Sequence, residues 1–157
     1  VIREPELHEY GVVLDLFLDY MTFEYEFPEN RQRLIKPNKR NLEAYRKFFV
    51  KLMEDPNQIF YIADDNNNFL GYVCGSIHEE HEVMKSEKTG RIQGIFVEPS
   101  HRRKGIGTML MDSLESWFRK NGASEVVLYA SPTNKDSIKF FRRRGYQIFT
   151  VGLNKTI

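Results

Sequence analysis

The chain has 157 residues, of which 41% are hydrophobic and 29% are charged. This balance is typical of a soluble globular domain, and the length predicts one domain that closes a core without disulfides or a structural metal. The formal net charge is only +1, which argues against a protein-wide attraction to nucleic acid or membrane. No apolar run approaches the roughly 18 residues of a membrane span. We therefore expect no nucleic-acid or membrane partner.

Cys74 is the single cysteine, so the chain has no intrachain disulfide and no zinc site built from several cysteines. The chain does not open with the basic and apolar segments of a secretory signal. We therefore expect a cytoplasmic, reducing compartment and no metal cofactor.

The first half of the chain predicts a short strand, two helices and a hairpin. Apolar residues recur at helical spacing in two segments, and two β-rich runs flank a polar turn at residues 64–68. A loop is expected at residues 22–38, which contain two prolines and no regular pattern. The predicted elements are a strand at 1–3, helices at about 6–21 and from Asn38 or Asn41 to about Glu54, and strands at 58–63 and 69–77.

The second half alternates strands and helices, which favours parallel neighbours joined by crossovers. Gly94 lies within one of these strands and indicates a bulge. The predicted elements are strands at 90–97, 125–130 and 146–153, with helices from Gly105 to about Asn121 and from Thr133 or Asn134 to Gly145. We expect an α/β or α+β domain with a mixed, mostly antiparallel sheet of about six to seven strands and about four helices.

The most informative segment is the basic, glycine-rich turn between the strand at 90–97 and the next helix. It reads Arg102-Arg103-Lys104-Gly105-Ile106-Gly107-Thr108. Glycines let backbone amides approach an anion, and the helix N-terminus adds free donors and partial positive charge. The turn therefore predicts a pyrophosphate-binding site. It matches neither a Walker A loop nor a complete G-x-G-x-x-G, and taken alone an ordinary basic loop explains it as well.

A second motif follows downstream, with Asn134, Ser137, Phe140-Phe141 and Gly145-Tyr146. Together the two motifs resemble the GNAT superfamily of acetyl-CoA-dependent N-acetyltransferases. Residues 102–107 match its Gln/Arg-x-x-Gly-x-Gly/Ala loop, and the second motif matches its Asn…Phe-Tyr…Gly-Phe pattern with two aromatic changes. The resemblance implies one N-acetyltransferase domain over residues 1–157, which transfers an acetyl group directly from acetyl-CoA to an amine in a ternary complex.

In this family two parallel strands splay apart and the pantetheine arm of the cofactor lies between them. The resemblance assigns these strands to 90–97 and 125–130, with the backbone N–H of Ile95 polarising the thioester carbonyl. The residues that it assigns to the cofactor are Ile95, Phe96, Val97, Arg102, Arg103, Lys104, Gly105, Ile106, Gly107, Thr108, Asn134, Ser137 and Phe141.

The acceptor side is less defined by the sequence. Glu24 and Glu80 are candidates for the base that takes the proton of the amine. Candidates for acceptor binding are Glu26, Gln93, Tyr129 and Ser131. For each of the three glutamates a solvated surface charge is the alternative.

Two departures from the family pattern leave other functions open. Phe141 stands where many members have a tyrosine that protonates the leaving thiolate, and the early part of the strand at 90–97 has no carboxylate. A non-catalytic acyl-CoA-binding module is therefore the first alternative. The second alternative is an RNA- or anion-binding protein that uses the basic runs at residues 102–104 and 142–144. The spacing of the glycines and the motif at Asn134 argue against it.

The segment after Gly145-Tyr146 is short for the two closing strands that are usual in the family. Residues 148–151 are apolar and β-rich, and an exposed strand edge of this kind is normally covered. We expect a homodimer through this C-terminal strand.

Overall fold

The computed structural model describes residues 1–157 and contains one five-stranded mixed sheet in the order β1-β2-β3-β4-β5. The strands are Ile2–Arg3 (β1), Gln58–Asp65 (β2), Asn68–Glu79 (β3), Lys88–Val97 (β4) and Glu125–Val127 (β5). The helices are Tyr10–Tyr25 (α1), Pro28–Arg31 (α2), Leu42–Glu54 (α3), Ile106–Lys120 (α4) and Lys135–Arg143 (α5). The β1–β2, β2–β3 and β3–β4 pairs are antiparallel and β4–β5 is parallel. A mixed, mostly antiparallel sheet is thus confirmed.

Four predicted segments differ from the structure. α1 continues to Tyr25, and α2 lies in the segment predicted as a loop, because Pro28 occupies the first helical position, where its missing N–H costs nothing. β5 ends at Val127 instead of residue 130. The predicted strand at 146–153 is absent, since this segment pairs with no other strand. The sheet therefore has five strands instead of six or seven, and the helices number five instead of four.

The two faces of the sheet carry separate halves of the core, because alternate residues of a strand point to opposite faces. α1 and α3 cover one face, and α4 covers the other. The buried residues of the first half are Val13, Leu16, Phe17, Phe49, Phe60, Ile62, Tyr72, Cys74 and Phe96. Those of the second half are Ile59, Ala63, Val73, Ile92, Ile106, Leu110, Met111, Leu114, Phe118 and Phe141. No helix is long and apolar enough to span a bilayer.

The ring of Phe118, which is fully buried, lies against two strand glycines. A Cβ on Gly90 would stand 2.7 Å from Cγ and Cδ1 of that ring, and one on Gly75 would stand 2.7 Å from its Cζ. Gly90→Ala is therefore expected to lower the free energy of unfolding by about 1–3 kcal/mol through overpacking. Denaturant titration measures this change.

Gly11→Ala is the matched control, because Gly11 lies in α1 and a Cβ there meets nothing within 4 Å. This substitution should leave stability unchanged or raise it by about 0.4–1 kcal/mol. Equal stability of the Gly90 and Gly11 variants would show that Phe118 moves aside at no cost.

A β-bulge interrupts the β3–β4 ladder at the predicted place. Cys74 pairs with Gly94 and Gly75 pairs with Ile92, so Gln93 is the extra residue of β4. A bulge bends its strand and disrupts the ladder locally.

β4 and β5 pair only from Thr89–Glu125 to Arg91–Val127. β4 then continues to Val97 without a neighbour on that side, while the chain after Val127 leaves the sheet. The predicted splay of the two parallel strands is thus present, and the bulge lies where it begins.

Candidate active site

A cavity of 1220 Å³ lies where β4 and β5 separate, between the C-terminal end of α1 and the N-terminal ends of α4 and α5. All the site residues predicted from the sequence line this cavity except Glu26, Glu80, Lys104 and Ser131. The structure therefore brings the two sequence motifs together in one place with three of the six base and acceptor candidates, Glu24, Gln93 and Tyr129.

The four exceptions have other surroundings. Glu26 lies 3.7 Å from the ammonium of Lys36, and Glu80 lies 3.4 Å from the guanidinium of Arg91. The ammonium of Lys104 donates to the carbonyl of Ser100 at 3.2 Å. Ser131 is buried beside the cavity and is absent from its wall. The structure thus places these four side chains outside the cavity wall, and the roles that the sequence predicts for them stay predictions.

The basic glycine-rich turn has an unusual backbone. Arg103 has φ +64° and Gly105 has φ +83°, so two left-handed residues stand within three positions. None of the backbone amides of residues 103–108 donates to a carbonyl in the turns and caps, and the first amides of α4 have no partner within the helix. Consecutive free amides at a helix N-terminus form an anion-binding concavity.

Gly107 forms an open part of this concavity. A Cβ on Gly107 would meet nothing closer than Cζ of Phe140, at 3.6 Å. The cations that line the same end are His101 (when protonated), Arg102, Arg103, Lys135, Arg143 and Arg144. Arg144 is held by Asp112 at 2.7 Å and Glu115 at 2.9 Å, which fastens α5 to α4.

Arg102 connects the turn to β4 and α1. Its Nε donates to the carbonyl of Val97 at 2.8 Å, and its guanidinium carbon lies 4.9 Å from the ring centre of Phe23 and 5.5 Å from that of Phe96. The sequence alone assigned Arg102 to the phosphates. In the structure its guanidinium forms part of the wall between the basic turn and the end of α1.

The hydrogen bonds between β3 and β4 show which backbone groups of β4 point to its free edge. The N–H of Glu98 donates to the carbonyl of Leu70 at 2.9 Å. In an antiparallel ladder every second residue faces the partner strand, so Phe96 faces β3 while Ile95 and Val97 turn their N–H and C=O groups to the other edge. The hydrogen bond from Arg102 to the Val97 carbonyl agrees with this alternation, because that carbonyl points away from β3. The N–H of Ile95 therefore points into the gap left by β5.

The end of the cavity nearest α1 is aromatic and contains one carboxylate. Tyr20, Phe23, Glu24 and Phe27 line it, and Asn30 donates to Oε2 of Glu24 at 3.0 Å. Burial raises the pKa of Glu24 above that of an ordinary glutamate, and the hydrogen bond from Asn30 opposes the shift. A half-buried carboxylate of this kind can bind an ammonium ion or accept its proton.

The aromatic residues of this wall were not predicted from the sequence. Tyr20, Phe23 and Phe27 lie at a spacing of three and four residues, which would place them on one helix face. That spacing could have revealed them, but it continues past Met21, where the predicted helix ended. Because the predicted helix ended at Met21, these aromatic residues did not stand out as one helix face.

Phe141 is 5% exposed and lies between two other rings. Its ring centre is 5.2 Å from that of Phe140 and 5.4 Å from that of Tyr146. Asn134 orients the helix by accepting the N–H of Ser137 at 3.1 Å as its N-cap. The second motif thus places an aromatic ring without a hydroxyl at the cavity wall.

Cys74 is 2% exposed, and burial raises its pKa to about 12. Its thiol therefore stays protonated at neutral pH and is no nucleophile. No three His, Cys, Asp or Glu side chains are grouped so that they could hold a metal ion.

A sequence model of the Acetyltransferase (GNAT) family matches residues 14–146. An uncharacterized N-acetyltransferase of Methanocaldococcus jannaschii is 30% identical over 102 residues, which are 65% of this chain and 45% of the relative. The aminoalkylphosphonate N-acetyltransferase of Salmonella typhimurium is 28% identical over 110 residues, 70% of each chain. This chain thus spans under half the length of the first relative.

A solved structure with the same fold is AAC(6')-Iy in complex with the bisubstrate analog CoA-S-monomethyl-acetylneamine. Its TM-score is 0.72 at 19% identity, over 100% of this chain and 98% of the other. With the family match over residues 14–146, these findings lead to one conclusion: the chain belongs to the GNAT family of acetyltransferases.

Proposed function

We propose that this protein transfers an acetyl group from acetyl-CoA to a primary amine, directly and in a ternary complex. The observation that carries the proposal is one cavity with two sets of free backbone donors. The amides of residues 103–108 form an anion-binding concavity at one end, and the N–H of Ile95 points into the gap between β4 and β5. A cofactor that carries both a pyrophosphate and a thioester would use both sets of donors.

The residues present fit acetyl-CoA, which supplies an activated acetyl thioester. The amides of residues 103–108 would bind its pyrophosphate, and Arg103, Lys135 and Arg143 would add charge around the phosphates. The C=O of Ile95 and the N–H of Val97 would pair with the amides of the pantetheine arm, which leaves the N–H of Ile95 for the thioester. The complex of AAC(6')-Iy with a CoA-containing analog supports this use of the fold.

The chain's own groups serve each part of the transfer. The N–H of Ile95 donates to the thioester oxygen and stabilises the negative charge that develops there. Glu24 accepts a proton from the ammonium ion, which frees the nitrogen lone pair. The nitrogen bonds to the acetyl carbon, the carbon–sulfur bond breaks, and its electron pair stays on sulfur. The second amine proton leaves with the thiolate or through water.

The acceptor class is supported by the names of two comparison proteins. An aminoalkylphosphonate N-acetyltransferase and a complex with an acetylneamine analog both indicate amine substrates in this family. Incubation with acetyl-CoA and a mixed pool of amines tests the proposal. We expect release of free thiol together with a mass increase of one acetyl group on an amine. Tight acetyl-CoA binding with no acetylated amine would favour the acyl-CoA-binding module.

Phe141→Tyr tests how the thiolate is protonated. The ring lines the cavity, so a hydroxyl added at its edge can donate a proton to the leaving sulfur. If departure of the thiolate limits turnover, kcat should rise by about tenfold, most strongly at low pH. Steady-state kinetics from low to high pH measure this effect. An unchanged kcat at every pH would mean that departure is not limiting.

The homodimer and the cytoplasmic location stay proposals. The structure forms no C-terminal strand, but Ile148, Phe149 and Val151 are at least 61% exposed beyond the β5 edge. Coverage of this apolar segment by a second copy would explain its composition. A monomer in light scattering at high concentration would exclude the dimer.

A further inference from the structure

We infer that the acceptor is a small amine that carries one positive charge on an apolar carbon body. The inference rests on the proposed acetyl transfer and defines its acceptor. It follows from the composition of the α1 end of the cavity, which Tyr20, Phe23 and Phe27 line together with Glu24.

Glu24 is the single carboxylate at this end. Two more carboxylates follow on the same segment, but Glu26 is near Lys36, and Glu29 accepts a hydrogen bond from the hydroxyl of Thr133 at 2.7 Å. Neither lines the cavity. The other acidic residue of the lining, Asp136, belongs to the first turn of α5. A second ammonium group on the acceptor would therefore find no anion beside Glu24.

The walls around Glu24 are apolar and closely packed. Phe23 and Phe27 contact edge to face with ring centres 5.3 Å apart, and Tyr20 meets Tyr72 in the same way at 6.1 Å. Aromatic faces favour a cation and its carbon chain, whereas an additional anionic group would lose water there. The guanidinium of Arg102, which lies over the ring of Phe23, already donates to the Val97 carbonyl.

The size of the acceptor follows from the share of the cavity that is left for it. Acetyl-CoA would occupy the gap between β4 and β5 and the anion-binding end, so the acceptor has only the α1 end of the 1220 Å³ cavity. Near this end the hydroxyl of Thr133, which lines the cavity, donates to Glu29 at 2.7 Å and joins α2 to the turn before α5. A compact amine suits this remaining space better than an extended peptide.

An acceptor panel tests this inference with acetyl-CoA held saturating. The members are phenethylamine, spermidine, kanamycin, aminoethylphosphonate and a tetrapeptide with a free N-terminus, and thiol release gives kcat/KM. We expect phenethylamine to exceed every other member by about tenfold or more, because one unpaired charge or polar group costs at least that much. A higher kcat/KM for any other member, or no turnover of phenethylamine, overturns the inference.

The failure of the inference is distinguishable from failure of the proposed function. If acetyl-CoA stabilises the protein and another panel amine is acetylated, the function stands and the acceptor class is wrong. If acetyl-CoA gives no stabilisation, the proposed function itself is wrong.

Glu24→Gln identifies the recognising group. The control is Glu43→Gln, because Glu43 is exposed on α3, lies 3.8 Å from Arg46 and does not line the cavity. Glu24→Gln should lower kcat/KM for phenethylamine by about tenfold to a hundredfold through loss of a charge-assisted contact, and Glu43→Gln should leave it unchanged. Acetyl-CoA binding should stay the same in both variants. Equal effects of the two substitutions would overturn the assignment of Glu24.

The pH dependence of kcat/KM distinguishes recognition of the acceptor by Glu24 from a purely structural role of this residue. The phenols of Tyr20 and Tyr72 interact electrostatically with Glu24, and because burial raises their pKa values both are neutral at pH 7. The charged group at this end is the guanidinium of Arg102, over the adjoining ring of Phe23. Because the pKa of Glu24 is raised, kcat/KM should fall as pH drops through a value above the usual 4.5. Glu24→Gln should abolish this acidic limb.

The stability of Glu24→Gln should change in the opposite sense to its activity. A pKa raised in the folded state means that ionisation of Glu24 costs stability as pH rises. The variant should therefore melt at the same temperature as the parent protein or higher at pH 7. A lower melting temperature together with an unchanged acidic limb would show a structural role and overturn the inference.

Discussion

Gly107→Val is expected to abolish acetyl-CoA binding while leaving the fold intact. The new methyl groups would occupy the concavity formed by the free amides of residues 103–108. A Cβ at this position is only 3.6 Å from Phe140 and 3.9 Å from Ile95, which is ordinary contact, so the fold accepts it. Loss of two or more charge-assisted hydrogen bonds corresponds to an increase in Kd of about a hundredfold or more. Calorimetric titration with acetyl-CoA measures the change.

A valine at position 107 tests cofactor binding more directly than a valine at position 105. Gly105 has φ +83°, where a β-branched residue is strained, so a valine there would change the backbone as well as the surface. Gly11→Val is the matched control, because Gly11 lies on α1 with nothing within 4 Å of its missing Cβ. A Kd that is unchanged in Gly107→Val would place the pyrophosphate elsewhere.

Ile95→Pro is expected to reduce kcat by about 10²–10³-fold, the usual loss when one oxyanion donor is removed. Proline at this position removes the N–H that points into the gap between β4 and β5. It removes no hydrogen bond of the β3–β4 ladder, because Ile95 turns away from β3. Gly94 lies within the strand β4, and extended backbone is what the residue before a proline favours. Saturating kinetics with the best panel amine measure the effect.

Ile95→Ala is the control, since alanine shortens the side chain and keeps the N–H. Its kcat should remain within a few-fold of that of the parent protein, and both variants should still bind acetyl-CoA through the turn at residues 103–108. Equal losses in the two variants would assign the effect to the isoleucine side chain and reject the N–H as the donor.

The cofactor end of the site was predictable from sequence because its chemistry is local. A strand, a basic turn with two glycines and a helix N-terminus follow one another within residues 94–108, and the fold brings their backbone groups together without long-range contacts. The bulge at Gln93 and Gly94 was predictable for the same reason. Gly94 also lets Tyr20 approach closely, because a Cβ would stand 3.0 Å from its ring and the ring would have to shift.

The acceptor end was not predictable in the same way because it depends on distant packing. The partners of Glu26, Glu29 and Glu80 decide which carboxylate reaches the cavity, and no pattern in the sequence separates them from Glu24. The end of β5 at Val127 also follows from contacts across the sheet. Residues 128–130 continue the β-rich run in sequence, but in the structure they line the cavity.

Thermal unfolding in the presence of acetyl-CoA tests the central claim most directly. A ligand at about 100 times its Kd stabilises the folded state by about 2.7 kcal/mol. For a domain of this size each kcal/mol raises Tm by about 2–4 °C, so we expect a rise of roughly 5–10 °C. An unchanged Tm at saturating acetyl-CoA would contradict the account.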